Sequence, residues 1–423
     1  MKYFLGLLAL MGAATAYSET AATIAKQPQT GWLDSADCSA ISGWAWDSSQ
    51  PSARLEINLY DGSTQGSPFA TLSAANYRQD LQQAGIGDGV HAFYMNTPAT
   101  LKDGRTHAII ATLASSGEAI KIGTNTLSCP AGATGYRYYF SDKLTAISAE
   151  QWSIRGDAVQ AADGVTSASA SGAILLSRIA VPDGSSDSEV RASLNLKASG
   201  GVYTIYLHAS PDALAGSAAS GSYYAVEVEN PTFSDNGCTA TLSISKRSSE
   251  TVTSLHSEQI SCHDGMTLRA IAAADGHVGV WLDYSNLTKI DDAEVTGGVA
   301  GIGVRSAPAI NSLGGVDLGA LDRLAPGPLS PADIQVKASA NSIELDWPRI
   351  TDDPDGTGVG GYTISRDGKF IANVSRANPS FIDSKVQPGA VYTYEIAAYD
   401  MHLNRTSTFV TVAAPESGTA ATK

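Results

Sequence analysis

The stretch GSYYAVEVENPTFSDNGCTATLSISKR at residues 221–247, followed by CHDGMTLRAIAAADGHVGVWLDY at residues 262–284, decides the fold class of this chain. Apolar and polar residues alternate along four short runs, and Gly, Asn, Asp and Pro separate the runs. Alternation with a period of two indicates strands that bury one face. Asp275-Gly276 is typical of a tight hairpin turn between the last two runs. We therefore expect a β core in the middle of the chain.

The rest of the 423-residue chain has the same character. Its length allows about three domains of ~150 residues each. Only 16% of the residues are charged, 41 are glycine, and short runs between turn residues recur throughout. This composition favours β-sandwiches over helices. We predict an all-β protein of three sandwich or jelly-roll modules, joined by short linkers.

The first residues, MKYFLGLLALMGAATAYS, predict a secretory signal peptide. Lys2 supplies the basic start, an apolar run follows, and Ala14-Thr15-Ala16 is a typical cleavage site, so the peptide is expected to span residues 1–16. Residues 17–30 are a polar lead that we expect to be disordered. No later stretch is long and apolar enough for a transmembrane segment. The predicted location is secreted, either extracellular or periplasmic.

Charge and cysteine usage narrow the classes of partner. The net charge is −15 and no basic block occurs, which argues against nucleic acid and anionic lipid. None of the four cysteines lies in a CxxC pair, so a zinc site is not expected. Three disulfide connectivities are possible. The local one, Cys38–Cys129 with Cys238–Cys262, closes each module without crossing a linker and is the one we expect.

The N-terminal module is predicted over residues 31–129. It contains GWAWDSSQP, YRQDLQQAGIGDGVHAF and LKDGRTHAI, strings that resemble a β module recurring in secreted, multidomain bacterial proteins. The resemblance implies no activity. One short helix is expected from Asn76 to Ala84, capped by Asn76 and ended by Gly85.

The middle module is predicted over residues 135–321. Its order of strands, and the tail Asp283…Asp292…Gly297 to Gly303, resembles the concanavalin A-like lectin/glucanase jelly roll in its laminin-G-like version. The third module, residues 332–414, resembles a fibronectin type III domain, which implies a core Trp347 and a tyrosine corner at Tyr392. Pro130–Thr134 and the proline-rich Asp322–Pro331 are expected linkers, and residues 415–423 a tail.

Glu227 and Glu229 are the candidate catalytic residues. Two apart on a strand, they face one side about 6.5 Å from each other, and paired carboxylates near that distance run glycoside hydrolysis. Some glucanases of the fold that the middle module resembles carry E-x-D-x-E, but here the register reads Glu227, Glu229, Pro231. A proline at that position is also expected to end the strand. An ordinary polar strand face is therefore the preferred interpretation.

The same face is a candidate glycan site. Aromatic rings pack on the apolar faces of sugars, and carboxylates bind sugar hydroxyls. The candidate ligand-binding residues are Tyr206, Tyr223, Glu227, Glu229 and Trp281, with His208 on a strand that could neighbour them. The alternative, which we favour for Trp281, is that the aromatic residues belong to the core.

Two further motifs carry weaker signals. Asp352, Asp353 and Asp355 lie close enough in sequence to hold calcium, although Asp-Pro-Asp-Gly is first of all a turn and no cofactor is otherwise implied. Arg155-Gly156-Asp157 spells the integrin tripeptide, but we expect a hairpin turn there and interpret the match as coincidence.

The sequence therefore predicts an exported, non-enzymatic binding or adhesion protein that recognises extracellular carbohydrate, or a protein surface, through its middle module. The alternative is a glycoside hydrolase or polysaccharide lyase with Glu227 and Glu229 as its acids. A structural stalk or scaffold of the cell surface is the third hypothesis.

Overall fold

A computed structural model describes residues 29–38, 40–129, 138–210, 221–234, 237–248, 251–283, 285–353, 356–376 and 379–416. Nearly all of the regular secondary structure of the described chain is β-strand, which confirms the predicted all-β class. The expected signal peptide, most of the polar lead and of the tail, and the first expected linker lie outside the described residues. Among the described residues, no helix combines the length and the apolar character needed to cross a membrane.

The N-terminal module is a sandwich of two sheets. A five-stranded sheet in the order β5-β6-β2-β1-β8 faces a four-stranded sheet in the order β4-β3-β7-β9. Leu33, Ile57, Phe93 and Ile109 are among the side chains buried between them. The strands are β1 (Gln29–Ala36), β2 (Ala40–Asp47), β3 (Glu56–Asp61), β4 (Ala70–Ser73), β5 (Asn76–Tyr77), β6 (Val90–Asn96), β7 (Thr106–Leu113), β8 (Lys121–Thr124) and β9 (Thr126–Ser128), with a 3-10 turn at Ala99–Leu101.

The helix of this module is shorter than predicted. It is α1, Gln79–Gln83, and Arg78 precedes it without a side-chain cap. The expectation that Asn76 caps the helix was wrong, because the backbone of Asn76 pairs instead with Ala92 on β6. Gly85 follows the helix with a φ of 73°, as a helix terminator does.

The middle module packs two larger sheets face to face. One sheet has eight strands, in the order β12-β13-β24-β15-β20-β21-β22 with β10 paired to β24, and the other has seven, in the order β11-β14-β23-β16-β17-β18-β19. Their strands are β10 (Phe140–Asp142), β11 (Trp152–Gly156), β12 (Val159–Ala161), β13 (Gly164–Thr166), β14 (Ala173–Ser177), β15 (Ser188–Asn195), β16 (Val202–Ala209), β17 (Tyr223–Ser234), β18 (Gly237–Ser248), β19 (Thr251–Cys262), β20 (Met266–Ala273), β21 (His277–Leu282), β22 (Ser285–Asp291), β23 (Val299–Arg305) and β24 (Ser312–Ala320).

Strand β17 has the predicted alternation but not the predicted end. Tyr224, Val226 and Val228 point into the main core between the two sheets. The strand continues through Pro231 to Ser234, so the expectation that the proline ends it was wrong. A bulge accommodates the proline: the register with β18 shifts between Glu229 and Thr232, and Asn230 takes a left-handed φ of 50°.

The two disulfides join the expected partners. Cys38 is bonded to Cys129, and Cys238 to Cys262, the latter two lying directly opposite each other on β18 and β19. Loops of 91 and 24 residues are closed in this way. In the chain-entropy model each bridge contributes about 3–5 kcal/mol to the free energy of unfolding. Both bridges fit an oxidising, extracellular environment.

The third module is a smaller sandwich of a three-stranded sheet, β25-β26-β29, and a four-stranded sheet, β28-β27-β30-β31. Trp347 is buried in its core and meets the ring of Tyr362 edge to face, with centroids 5.4 Å apart. The strands are β25 (Gln335–Ala338), β26 (Ile343–Asp346), β27 (Val359–Arg366), β28 (Lys369–Ser375), β29 (Ser380–Asp383), β30 (Val391–Asp400) and β31 (Arg405–Ala413), preceded by a 3-10 turn at Pro331–Asp333.

The third module is docked on the outer side of the eight-stranded sheet through a buried polar network. Glu189 on β15 forms an ion pair with Arg269 on β20, and its other oxygen is 2.7 Å from Nε2 of His402, in the turn between β30 and β31. Arg269 donates to the carbonyl of Met401 at 2.9 Å, and the backbone N–H of Asp322 donates to His402 Nδ1 at 2.6 Å. In the expected linker, Arg323 lies 3.1 Å from Asp187 of the middle module and the carbonyl of Pro326 accepts from Thr406 of the third, so the linker is held against both modules.

The N-terminal module contacts both of the others. The backbone N–H of Tyr77 donates to the carboxylate of Asp283 in the middle module. From the third module, Arg376 donates to the hydroxyl of Ser42 at 3.1 Å. The three modules therefore pack against one another directly.

Candidate functional site

Four of the five predicted ligand residues share the outer face of the seven-stranded sheet. Tyr206 lies on β16, and Tyr223, Glu227 and Glu229 lie on β17. Strand pairing aligns Tyr206 with Ala225, and Thr204 with Glu227. Because the alternating residues of β17 fill the core, these side chains point away from it. We call this surface the outer face.

Glu227 is held by two partners on neighbouring strands. The hydroxyl of Thr204 donates to Glu227 Oε1 at 2.9 Å, and Nη1 of Arg305 on β23 lies 2.5 Å from the same oxygen. Burial alone would lower the pKa of Arg305, but the hydrogen bond and charge of Glu227 raise it above its ordinary value. The guanidinium thus stays charged and fixes the carboxylate in place.

Glu229 has a different partner. The hydroxyl of Ser243 on β18 donates to Glu229 Oε1 at 2.5 Å. Hydrolysis by a carboxylate pair needs one group that delivers a proton and one that attacks or activates water. Here both carboxylates accept hydrogen bonds, one of them from a guanidinium, an arrangement suited to holding hydroxyl groups.

Two tyrosines form the aromatic part of the outer face. The rings of Tyr206 and Tyr223 meet edge to face, with centroids 5.4 Å apart. Tyr206 is buried, and burial, with the nearby Glu227 charge, raises the pKa of its phenol well above the ordinary value. Its hydroxyl therefore remains a neutral donor across the physiological range. Tyr223 is half-buried and accessible.

A glycine on β23 makes room for this pair. The ring of Tyr206 lies over Gly303, where an added Cβ would be 2.9 Å from Tyr206 Cε2. Leu176, Ala209 and Ala225 complete the apolar bed under the tyrosines.

A cavity of about 380 Å³ adjoins the bed at the β11–β14 end of the outer face. Leu176 and Val299 line it and also belong to the apolar cluster around Tyr206. Arg155 and Arg178 line its polar side. Neither these arginines nor Arg305 was predicted as a site residue, because only the pairing of distant strands brings them to this face.

Arg155 does not lie in the expected hairpin. Gly156, with a φ of 70°, ends β11, and the chain then passes from the seven-stranded to the eight-stranded sheet. Arg155 pairs with Ile174 across the strands, so the strand geometry assigns its side chain to the outer face.

Trp281 and His208 are not on the outer face. Trp281 lies on β21, in the other sheet, and is buried beneath Arg269, whose guanidinium carbon is 4.4 Å from the ring centroid. Its place against the third module explains the burial. His208 is buried too, with Nδ1 2.9 Å from the carbonyl oxygen of Val295.

Of the three expected calcium residues, Asp352 alone belongs to a group of carboxylates that could hold a metal ion among the described residues. Asp352 meets Asp322 and Asp400, with one carboxylate oxygen of each within 4.8 Å of the others, while Asp355 lies outside the described residues. Burial and the neighbouring carboxylates raise the pKa of Asp352 to about 6 and of Asp400 to about 7. Oδ1 of Asp352 is enclosed without a hydrogen-bond partner among the described residues. These carboxylates could supply oxygen ligands to calcium, which stays a prediction.

The comparison with curated proteins gives a short match. A segment of 78 residues, 18% of this chain, is 37% identical to a gellan lyase of a Bacillus species. The chain matches 3% of the length of that relative. No protein-family model matches the chain.

Solved structures with some likeness include a carbohydrate recognition domain, a legume lectin-like domain and a glucanase. The carbohydrate recognition domain of Emp46p in its potassium-bound form is 9% identical, with 44% of this chain and 100% of that chain covered and a TM-score of 0.33. A legume lectin-like domain from Entamoeba histolytica is 12% identical, with 41% and 91% covered and a TM-score of 0.30. A prokaryotic β-1,3-1,4-glucanase (lichenase) derived from a mouse hindgut metagenome is 11% identical, with 43% and 99% covered and a TM-score of 0.30. Likenesses this distant carry no argument about function.

Proposed function

We propose that this protein is secreted and binds extracellular carbohydrate through the outer face of its middle module. The observation that carries the proposal is the convergence of an edge-to-face tyrosine pair with two carboxylates that neighbouring side chains hold in place. The accessible ring of Tyr223 offers a flat apolar surface to a sugar ring. Glu227, Glu229 and Arg305 offer acceptors and donors to its hydroxyls.

The fold assignments belong to the same proposal. A concanavalin A-like jelly roll accounts for the two large sheets of the middle module. A fibronectin type III domain accounts for the third module, where sheets of three and four strands pack together. The hydroxyl of Tyr392, 2.8 Å from the backbone N of Gln387, supports a tyrosine corner.

Binding without catalysis is the function that the carboxylates favour. Glu227 already accepts from Thr204 and Arg305, which leaves it poorly placed to deliver a proton. Hydrolase or lyase activity is the second candidate, favoured by the carboxylate spacing on β17 and by the short match to a gellan lyase.

One set of variants tests both candidates. A glycan array and a panel of soluble polysaccharides are probed with the wild type, Tyr223→Ala and Glu229→Gln. The controls are Tyr60→Ala and Glu344→Gln, at positions in the other two modules. We expect the site variants to lose at least tenfold in affinity, about 1.4 kcal/mol, and the controls to bind as the wild type does.

Three results would count against the proposal. An array without ligands, or site variants that bind normally, would refute glycan binding at this face. If the wild type released oligosaccharides from a polysaccharide and Glu229→Gln did not, the enzyme hypothesis would replace the proposed one.

A further inference from the structure

The outer face is electrostatically uneven along its length. Strand pairing sets Arg155, Ile174, Gly303, Thr204 and Glu227 in one row across five strands. Four strand spacings separate the two ends of this row, about 19 Å. The Arg155 guanidinium therefore stands at one end of the row, and the carboxylate of Glu227, paired with Arg305, stands at the other.

The cavity beside the tyrosines lies at the guanidinium end. A second row joins it to the aromatic pair, because Ser153 pairs with Leu176, Leu176 with Gly301, and Gly301 with Tyr206. Leu176 packs against Tyr206 and also lines the cavity. A ligand resting on Tyr223 can therefore extend into the cavity without leaving the sheet.

The polar lining of the cavity is suited to an anion. Nε of Arg178 donates to the carbonyl of Trp152 at 3.2 Å, which orients the guanidinium, and no described carboxylate forms an ion pair with it. Arg178 is exposed and Arg155 is half-buried. Guanidinium groups hold carboxylate and sulfate oxygens through paired, charge-assisted hydrogen bonds.

The net charge of the whole chain bears on how an anion would reach these two arginines. At a net charge of −15 the molecule repels polyanions at long range. Two arginines in a cavity next to a sugar-binding surface therefore favour anions only by direct contact. We propose that the cavity binds an anionic group on the glycan, a uronate carboxylate or a sulfate ester, so that the preferred ligands are acidic polysaccharides. This inference rests on the proposed function.

The test compares charged and neutral forms of the same polymers. Affinities are measured for polygalacturonate and its carboxyl-reduced form, and for dextran sulfate and dextran, at two salt concentrations. We expect the wild type to bind an acidic form at least tenfold more tightly than its neutral counterpart. The carboxylate and sulfate pairs show which anion the cavity accepts.

Variants test whether the two arginines cause the preference for acidic polymers. The double variant Arg155→Gln/Arg178→Gln is expected to lose most of the tenfold preference for acidic polymers and to keep its binding to the neutral polymers. Tyr223→Ala is expected to abolish binding to the neutral polymers. Arg105→Gln, at an exposed arginine of the N-terminal module, is the control and should change nothing. A preference that survives the double arginine variant would overturn the inference.

The remaining outcomes separate the two proposals. Equal affinity for charged and neutral forms, both lost in Tyr223→Ala, would refute the anion cavity and leave glycan binding standing. Failure of every polymer and of the array would refute the proposed function itself.

Discussion

At the scale of single residues, the molecule's most demanding contact is the buried group of Glu189, Arg269 and His402. Burial would raise the pKa of Glu189, but Arg269 and the hydrogen bond from His402 hold it below its ordinary value. The carboxylate is therefore charged although it has no solvent contact. Removing one partner of such a pair leaves a buried charge without compensation.

We predict that Glu189→Gln lowers the free energy of unfolding by about 3–5 kcal/mol, because Arg269 loses its counter-charge. Glu395→Gln, which breaks the more exposed pair with Arg405, should cost less than about 1 kcal/mol. Denaturant unfolding of both variants measures the difference. Equal effects would show that the buried pair is not the stronger contact.

Asp352 and Asp400 predict a response to pH that is opposite to that of most carboxyls. A raised pKa means that the folded state binds more protons than the unfolded state between about pH 4 and pH 7, so the contribution of these two groups to stability falls as pH rises. Asp352→Asn should therefore raise the melting temperature relative to the wild type at pH 8, and much less at pH 5. The measurement is made in EDTA, so that no divalent cation contributes.

Asp333→Asn, at an exposed acid, is the control and should be neutral at both values of pH. A melting temperature for Asp352→Asn that is lower than the wild type at pH 8 in EDTA would contradict the prediction.

At the scale of elements, strand β23 shapes the outer face without contributing an aromatic ring. Gly303 leaves the space that Tyr206 occupies, and Arg305 reaches Glu227 from the end of the same strand. The glycine is needed for close packing, since its backbone does not take a left-handed conformation.

We predict that Gly303→Ala displaces the ring of Tyr206 and weakens glycan binding at least fivefold. Overpacking of this kind also costs about 1–3 kcal/mol of stability. Gly315→Ala on β24, whose Cβ would lie 3.8 Å from Ser193 Oγ, has room and should leave both properties unchanged. Both variants are titrated with a glycan that the wild type binds, and their thermal unfolding is measured. Normal binding by Gly303→Ala would show that Tyr206 does not need its present position.

Local patterns predicted the strands better than their surroundings. The alternation in β17 correctly placed Glu227 and Glu229 on the same face of the sheet. Alternation does not reveal, however, whether another module packs on a face. Trp281 was a candidate ligand residue for which burial was the favoured interpretation, and it is buried beneath Arg269, which binds the third module. Strand β19 escaped prediction because most of its residues are polar, as suits an edge strand. Arg305 and Glu227 are 78 residues apart in the sequence, so no local pattern predicts that they pair.

At the scale of the whole molecule, the modules are braced through His402. Its Nδ1 accepts from the backbone of Asp322, so Nε2 must carry the proton that it donates to Glu189. The neutral ring satisfies both contacts. Arg269 and His277 also face this turn, from β20 and β21.

We predict that acid loosens the third module. Burial lowers the pKa of His402 in spite of Glu189, so the unfolded or undocked state binds more protons and docking weakens as pH falls below about 6.5. Protonation of His402 Nδ1 would also place its N–H opposite the backbone N–H of Asp322, so that two donors would face each other without an acceptor. Small-angle scattering should show a larger radius of gyration at pH 5 than at pH 7.5.

His402→Gln supplies an acceptor and a donor that do not titrate, and it should stay compact at both values of pH. Expansion of this variant at pH 5 to the same extent as the wild type would show that another group controls docking.

Docking also decides how the chain would respond to a pull. If its last residues were tethered and a ligand on the outer face were dragged, tension would reach the contacts of Glu189 and His402 before residues 322–331 could straighten. That segment would straighten only after the hydrogen bonds of Glu189 with His402 and of Arg269 with Met401 had broken, so these docking contacts would set the force at which the two modules separate.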